Sequence, residues 1–306
     1  GLVDDKQVHI FKEEGKLDRL EKALKGVQLK VTAGVGHTRW ATHGQPSRIN
    51  AHPHQSYTGR FVLVHKGLVE NYQELVDIYI PNIKRESETD TEVIAHLIDH
   101  FSGQGMETEE AFRQVLGKLE GSFAIVLIDR LEPNRLYAAK NKSPLLIGRG
   151  EGENTVASAA VAMQHVTKTF QDLQDGEYAI LDRNQVTIKK LDGQTVERDV
   201  FTLDKEANAV EMGDYDHYML KEIDEQPAVI RQLINHYYDE KGELKLAPYL
   251  ADLELPDRIF IVACGTSYHA GLVGKRYLEQ IAQIPTEVHI ASEFLYDDLL
   301  IDGKPL

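Results

Sequence analysis

Apolar positions in the first two-thirds of the chain fall into short strand-like runs separated by turn-forming residues. Phe61–His65, Phe123–Asp129, Leu136–Ala139, Leu145–Gly148, Thr155–Ala157 and Glu177–Ile180 are rich in residues that favour strands and are bounded by Gly, Asn or Asp. Gln185–Leu191, after the turn Asp182-Arg183-Asn184, predicts the second arm of a hairpin. Two stretches follow a helical period instead. Val93, Ile94, Leu97, Ile98 and Phe101 share one face over Asp90–Phe101, and Ala111, Phe112, Val115, Leu116 and Leu119 repeat the pattern over Thr108–Leu119. Residues 1–205 are therefore expected to form a mixed α+β domain.

From about Glu206 the pattern changes. Asp216–Tyr238 predicts a long helix, bent or restarted at Pro227. Ile259–Ala263 has the signature of a buried strand, and Cys264-Gly265-Thr266-Ser267 follows as a turn. A helix comes next with Ala270, Val273, Tyr277, Leu278 and Ile281 on one face, and then a second strand near Val288–Ala291. That is one βαβ unit, the opening of a parallel doubly wound sheet. A single unit of this kind cannot cover both faces of its sheet, so residues 206–306 are expected to be a linker and the start of a larger domain. The first residue, Gly1 and not Met, fits the same expectation of a fragment.

Composition narrows the classes. The 306 residues exceed what one core usually serves. Hydrophobic residues at 42% and charged residues at 27% are those of an ordinary globular protein. Lys and Arg number 34 against 49 Asp and Glu, and the net charge of −15 argues against nucleic-acid and membrane-surface partners. The longest apolar run, Phe123–Ile128, is far too short to span a bilayer, and the charged first thirty residues hold no leader-like segment. The single cysteine, Cys264, precludes an internal disulfide and fits a reducing, cytoplasmic setting. By its surroundings it reads as a buried packing thiol.

Candidate chemistry is densest in Gly36-His37-Thr38-Arg39-Trp40-Ala41-Thr42-His43-Gly44, continued by Asn50-Ala51-His52-Pro53-His54. Arg39 offers a planar fork suited to a carboxylate, Trp40 an apolar wall, and Thr42 and His43 short polar groups. The same residues could equally form a plain polar strand and turn. A zinc reading from His43, His52 and His54 lacks a clean ligand spacing and a thiolate, and no metal is expected. Farther on, Ser87-Glu88-Thr89-Asp90-Thr91-Glu92 opens a helix, with Thr89 and Glu92 as a capping box. Asp90 then sits in the first turn, where helix starts favour Asp for structural reasons alone. A carboxylate held there would also suit a substrate ammonium group. Arg39 and Asp90 together are the pair needed to grip a free α-amino acid. The third element, Val64-His65-Lys66-Gly67-Leu68-Val69-Glu70-Asn71, reads as a strand ending in a Gly turn, either a simple connection or a source of oxyanion-binding N–H groups. In the second region Gly265, Thr266 and Ser267 open a helix, as ordinary N-capping residues or as a phosphate site.

These motifs, in this order, resemble the glucosamine-6-phosphate synthase family of glutamine amidotransferases, and the resemblance covers the whole chain. It implies a four-layer αββα N-terminal-nucleophile glutaminase domain at residues 1–205. A linker and the first βαβ portion of a sugar-isomerase (SIS) domain would follow at residues 206–306. It implies transfer of the glutamine amide nitrogen to fructose 6-phosphate, giving glucosamine 6-phosphate and glutamate without a metal or organic cofactor, in an enzyme that is a homodimer at full length. By the resemblance Arg39, Trp40, Thr42, His43 and Asp90 bind glutamine, the Gly67 N–H belongs to the oxyanion hole, and Gly265, Thr266 and Ser267 contact the sugar phosphate. The sequence departs from the family in three places. The nucleophilic N-terminal Cys is absent, Lys66 replaces the Asn whose amide completes the oxyanion hole, and Ala159 replaces an Asp. No glutaminase turnover is expected of residues 1–306 alone. The alternative is a non-catalytic or decayed sugar-phosphate-binding homologue.

Overall fold

The computed structural model describes residues 1–4, 7–39, 44–203, 215–239, 242–245 and 255–294. The chain divides into two compact units, Gly1–Glu211 and Met212–Leu306.

The first unit begins with the short strands β1 (Leu2–Val3) and β2 (Val8–His9), the helix α1 (Leu17–Leu24) and the strand β3 (Ala33–Gly34), the strands forming a small sheet ordered β2-β1-β3. The main sheet is built from β4 (His54–Gln55), β5 (Phe61–Val69), β6 (Gly121–Asp129) and β7 (Leu136–Asn141). A second sheet uses β8 (Leu146–Arg149), β9 (Asn154–Ala157) and β10 (Thr169–Asp172). The chain then returns to the main sheet with β11 (Glu177–Leu181), β12 (Val186–Lys190) and β13 (Thr195–Val196), and closes the second sheet with β14 (Val200–Thr202). The main sheet is ordered β13-β12-β11-β7-β6-β5-β4 and the second β14-β10-β8-β9, all antiparallel.

Alternation along the central strands decides the layers, because successive side chains leave a strand on opposite faces. Phe61, Leu63, Phe123, Ile125, Leu127, Tyr137 and Tyr178 face the helices α2 (Tyr72–Tyr79), α3 (Asp90–Gly103) and α4 (Thr108–Leu116). Their neighbours Val64, Ala124, Val126, Ala138 and Ala179 face the other way, packing with Leu145 and Ile147 at the second sheet. The order of layers is thus helix, sheet, sheet. Among the described residues no α-helix packs broadly on the outer face of the second sheet.

The α3 helix is buried on nearly every side, not along one stripe, since α2 and α4 flank it and β5 lies beneath it. Its polar residues survive burial by being paired: Asp99 accepts from the N–H and hydroxyl of Thr58, and Ser102 accepts from Arg60. The capping box forms by half. Thr89 Oγ1 accepts from the Glu92 N–H, but the Glu92 carboxylate turns to the N–H groups of Glu86 and Ser87 and to the Ser87 hydroxyl, fastening the incoming loop. The Gly67 turn is corrected as well. The β5 strand runs through Gly67 to Val69, because φ +139° at Gly67 and +115° at Gly121 let both glycines stay in the β5–β6 ladder.

In the second unit α5 (Tyr218–Tyr237) continues through Pro227 without a restart. The strands β15 (Ile259–Ala263) and β16 (Thr286–Ile290) pair in parallel, joined by α6 (Gly265–Tyr277), so the βαβ unit is present. A four-residue helix, α7 (Ala291–Phe294), follows.

Candidate functional site

The β5 strand, the start of α3 and the segment before Trp40 meet at one large cleft of about 1480 Å³ in the first unit. Arg39 and Asp90 both line it, together with His37, His52, His65, Lys66 and Gly67. Trp40, Thr42 and His43 lie outside the described residues.

Each charged group has a definite seat. Arg39 is partly buried and adopts φ +43°, and its guanidinium folds back on its own loop, donating to the carbonyls of Gly44 at 2.8 Å and Gln45 at 3.2 Å. Burial draws this guanidinium below its ordinary pKa, while the carboxylates of Asp90 and Glu88 oppose the shift. The Asp90 charge is therefore felt at Arg39, although the two are not in contact as an ion pair. Asp90 is 3% exposed, and its Oδ2 accepts the Val69 N–H at 2.8 Å. Its other oxygen takes no hydrogen bond from a described residue. Its place in the first turn of α3 sets the carboxylate at the positive end of the helix dipole.

Four histidines, His37, His52, His54 and His65, gather beside this pair. The His37 and His52 rings lie 4.4 Å apart, and His52 and His54 meet edge-on at 5.0 Å. Burial, reinforced by nearby cationic groups, pushes His37 down to about 4 and His52 lower still; His54 is held at about 3 by burial first. At neutral pH these rings are uncharged acceptors and donors: His37 Nδ1 accepts the Arg39 N–H at 2.8 Å, and His54 Nε2 meets the Thr89 hydroxyl at 3.2 Å. His65 sits under Asp90, its Nδ1 3.1 Å from Thr91 Oγ1 and 3.9 Å from Asp90 Oδ2. Among the described residues no three His, Cys, Asp or Glu side chains are arranged to hold a metal ion.

Gly67 has a requirement of its own. A Cβ at this position would collide with the Ser122 carbonyl of β6. Lys66, beside it, is exposed at the cleft, whereas Ala159 is exposed and outside the cleft lining. In the second unit Gly265, with φ +57°, begins α6, and Thr266 and Ser267 are exposed in its first turn. The Cys264 thiol is also exposed, a correction to the buried thiol expected from sequence, because it stands at the outlet of β15 as the N-cap of α6.

Comparison with known proteins places these units. Residues 37–165 match the family model of the glutamine amidotransferase domain, and residues 253–306 match that of the SIS domain. The glutamine–fructose-6-phosphate aminotransferase (isomerizing) of Geobacillus kaustophilus is 53% identical over all 306 residues, which make up 51% of that protein. The enzyme of the same name from Staphylococcus epidermidis is 51% identical over the same span. Among solved structures, the Bacillus subtilis glutamine phosphoribosylpyrophosphate amidotransferase is 19% identical with a TM-score of 0.44, covering 82% of this chain and 50% of that one. The chain spans about half the length of the curated relatives it matches. It joins an amidotransferase-type α+β unit to a SIS unit. Over its whole length the sequence is similar to glutamine–fructose-6-phosphate aminotransferases (isomerizing), at 51–53% identity.

Proposed function

We propose that this chain supplies the glutamine-holding and first sugar-phosphate-binding parts of an amidotransferase that converts fructose 6-phosphate and glutamine to glucosamine 6-phosphate and glutamate. The glutaminase part is assigned to residues 1–205, and a linker with the start of the SIS part to residues 206–306, in a cytoplasmic protein. The observation that carries this reading is the meeting of Arg39 and Asp90 at one cleft beside Gly67. In it Arg39 takes the α-carboxylate of glutamine and Asp90 its α-ammonium, and Trp40, Thr42 and His43 are assigned to glutamine binding as well. The amide carbonyl then points at the Gly67 N–H. A thiolate attacking that carbon would form a thioester and release ammonia, and water would then free glutamate. The one cysteine of the sequence, Cys264, belongs to the other unit, so residues 1–211 contribute holding groups and not the thiolate. Lys66 offers a cation where the family has an amide. Gly265, Thr266 and Ser267 are assigned to the sugar phosphate, their support being the position at the start of α6.

Calorimetric titration of the chain with L-glutamine tests the first assignment. Arg39→Ala and Asp90→Asn should each weaken binding about tenfold or more, the usual cost of removing a hydrogen bond to a charged group. Unchanged affinity in both folded variants would end this reading.

A further inference from the structure

Arg39 and Asp90 are far apart in sequence and sit on different elements, yet an amino acid can be gripped at both ends only if their separation is fixed. Among the described residues, bonds to both seats converge on the side chain of Asn50, which is 3% exposed. Its Nδ2 donates to the Gln45 carbonyl at 3.0 Å, the same oxygen that receives the Arg39 guanidinium. That Nδ2 also donates to Glu88 Oε2 at 2.9 Å, while Asn50 Oδ1 accepts the Glu88 N–H at 3.0 Å. Glu88 stands two residues before Asp90 in the loop that opens α3. The amide therefore joins the seat of the guanidinium to the seat of the carboxylate. Gly44, which supplies the other carbonyl to Arg39, confirms how closely the parts fit. Its φ is +74°, and a Cβ there would lie 2.7 Å from Asn50 Nδ2.

We propose that Asn50 is a positioning residue that sets the Arg39–Asp90 spacing and so selects ligands carrying both an α-carboxylate and an α-ammonium. This rests on the glutamine-holding role of Arg39 and Asp90. Asn is required chemically: the site presents two acceptors to Nδ2 and one donor to Oδ1, a pattern only a primary amide of this length meets. An aspartate would set its carboxylate against the Gln45 carbonyl and the Glu88 carboxylate.

The test compares L-glutamine with glutaramate, which keeps the carboxylate and the side-chain amide but lacks the amine. Binding of each is measured calorimetrically on the whole chain and on Asn50→Asp, Glu88→Ala, Arg39→Ala and Asp90→Asn, with circular dichroism to report folding. For Asn50→Asp, glutamine affinity should fall about tenfold and glutaramate affinity by less than threefold, so the preference for the amine collapses. The double variant Asn50→Asp with Glu88→Gln should recover part of that preference, since the new amide can donate to the new carboxylate. Exposed Glu88 gives an independent route should Asn50→Asp fail to fold, and Glu88→Ala should shift the preference in the same direction. A preserved glutamine-to-glutaramate ratio in folded Asn50→Asp or Glu88→Ala, with Arg39→Ala and Asp90→Asn still weakening glutamine, overturns the proposal alone. Insensitivity of glutamine binding to Arg39→Ala and Asp90→Asn overturns it together with the reading beneath it.

Discussion

Gly67 carries two constraints that act in the same direction. Its φ of +139° lies where side chains are rarely found, and the Ser122 carbonyl occupies the place a Cβ would take. Gly67→Ala should therefore destabilise the first unit by about 3 kcal/mol or more, seen as a lowered urea midpoint. The buried histidines give a pH dependence of defined sign. His37 and His54 are depressed from 6.5 to about 4 and about 3, so the unfolded chain takes up their protons first. Glu92 behaves alike. Burial alone would raise it, but the His96 ring 3.2 Å away and hydrogen bonds from Ser87 and the Glu86 N–H outweigh that and hold it at about 2. The stability these three groups contribute is full above about pH 6.5 and falls as the pH drops, first through the histidine window and then through that of Glu92 below 4.5. A melting temperature that stays flat from pH 7 to 4 would contradict this, and His37→Asn should flatten the upper part of the slope. At this scale the sequence disclosed charge and shape but not partnership. Arg39 and Asp90 stand out as residue types with obvious uses. Asn50 and His65 matter through partners 38 and 26 positions away, which no local pattern encodes.

Elements were legible where one face was apolar and the other was not. The strands β6, β7, β8, β9 and β11 and the helices α3 and α4 fall close to their predicted places, because burial imposes the period that the sequence displays. Short edge strands such as β13 and β14 left little to read: Val200 is 54% exposed and Phe201 39%. The helix α1 buries none of its residues. The end of β5 was misread because Gly usually breaks a strand, and only the matching glycine across the ladder, Gly121, explains its continuation. What ties the elements together is often polar. Arg60 donates through Nε and Nη2 to fully buried Asp129, and also to Ser102 and Thr108, so β5, β6, α3 and the start of α4 share one guanidinium. Arg60→Leu would leave Asp129 charged without its cation and should cost about 3 kcal/mol, near the lower end for a broken buried pair because Arg60 is partly exposed. Urea unfolding of the variant measures it, and a loss under 1 kcal/mol would show that Thr108 and the backbone suffice for Asp129.

Across the whole chain the two units differ in how they are held. The first has a helix-to-sheet core and a sheet-to-sheet core, with side chains such as Phe61, Phe112, Ile125 and Leu127 fully buried. Each such side chain contributes about 1.5–3 kcal/mol. Among the described residues of the second unit only Gly271 and Thr286 are buried, while Val262, Val273, Tyr277 and Ile281 are exposed. Two parallel strands with one helix cannot remove enough apolar surface from water to hold firmly, since isolated two-stranded pairings are marginal. The length of the chain and the change of pattern near residue 206 pointed to two parts, but period alone could not say how unequal their cores would be. Hydrogen exchange followed by mass spectrometry should separate them. Amides of β5 and β6 should exchange only through global opening, while those of β15, α6 and β16 in this chain should exchange at least a hundredfold faster through local opening. Equal protection of both sets would mean that the second unit draws stability from contacts outside its own βαβ framework.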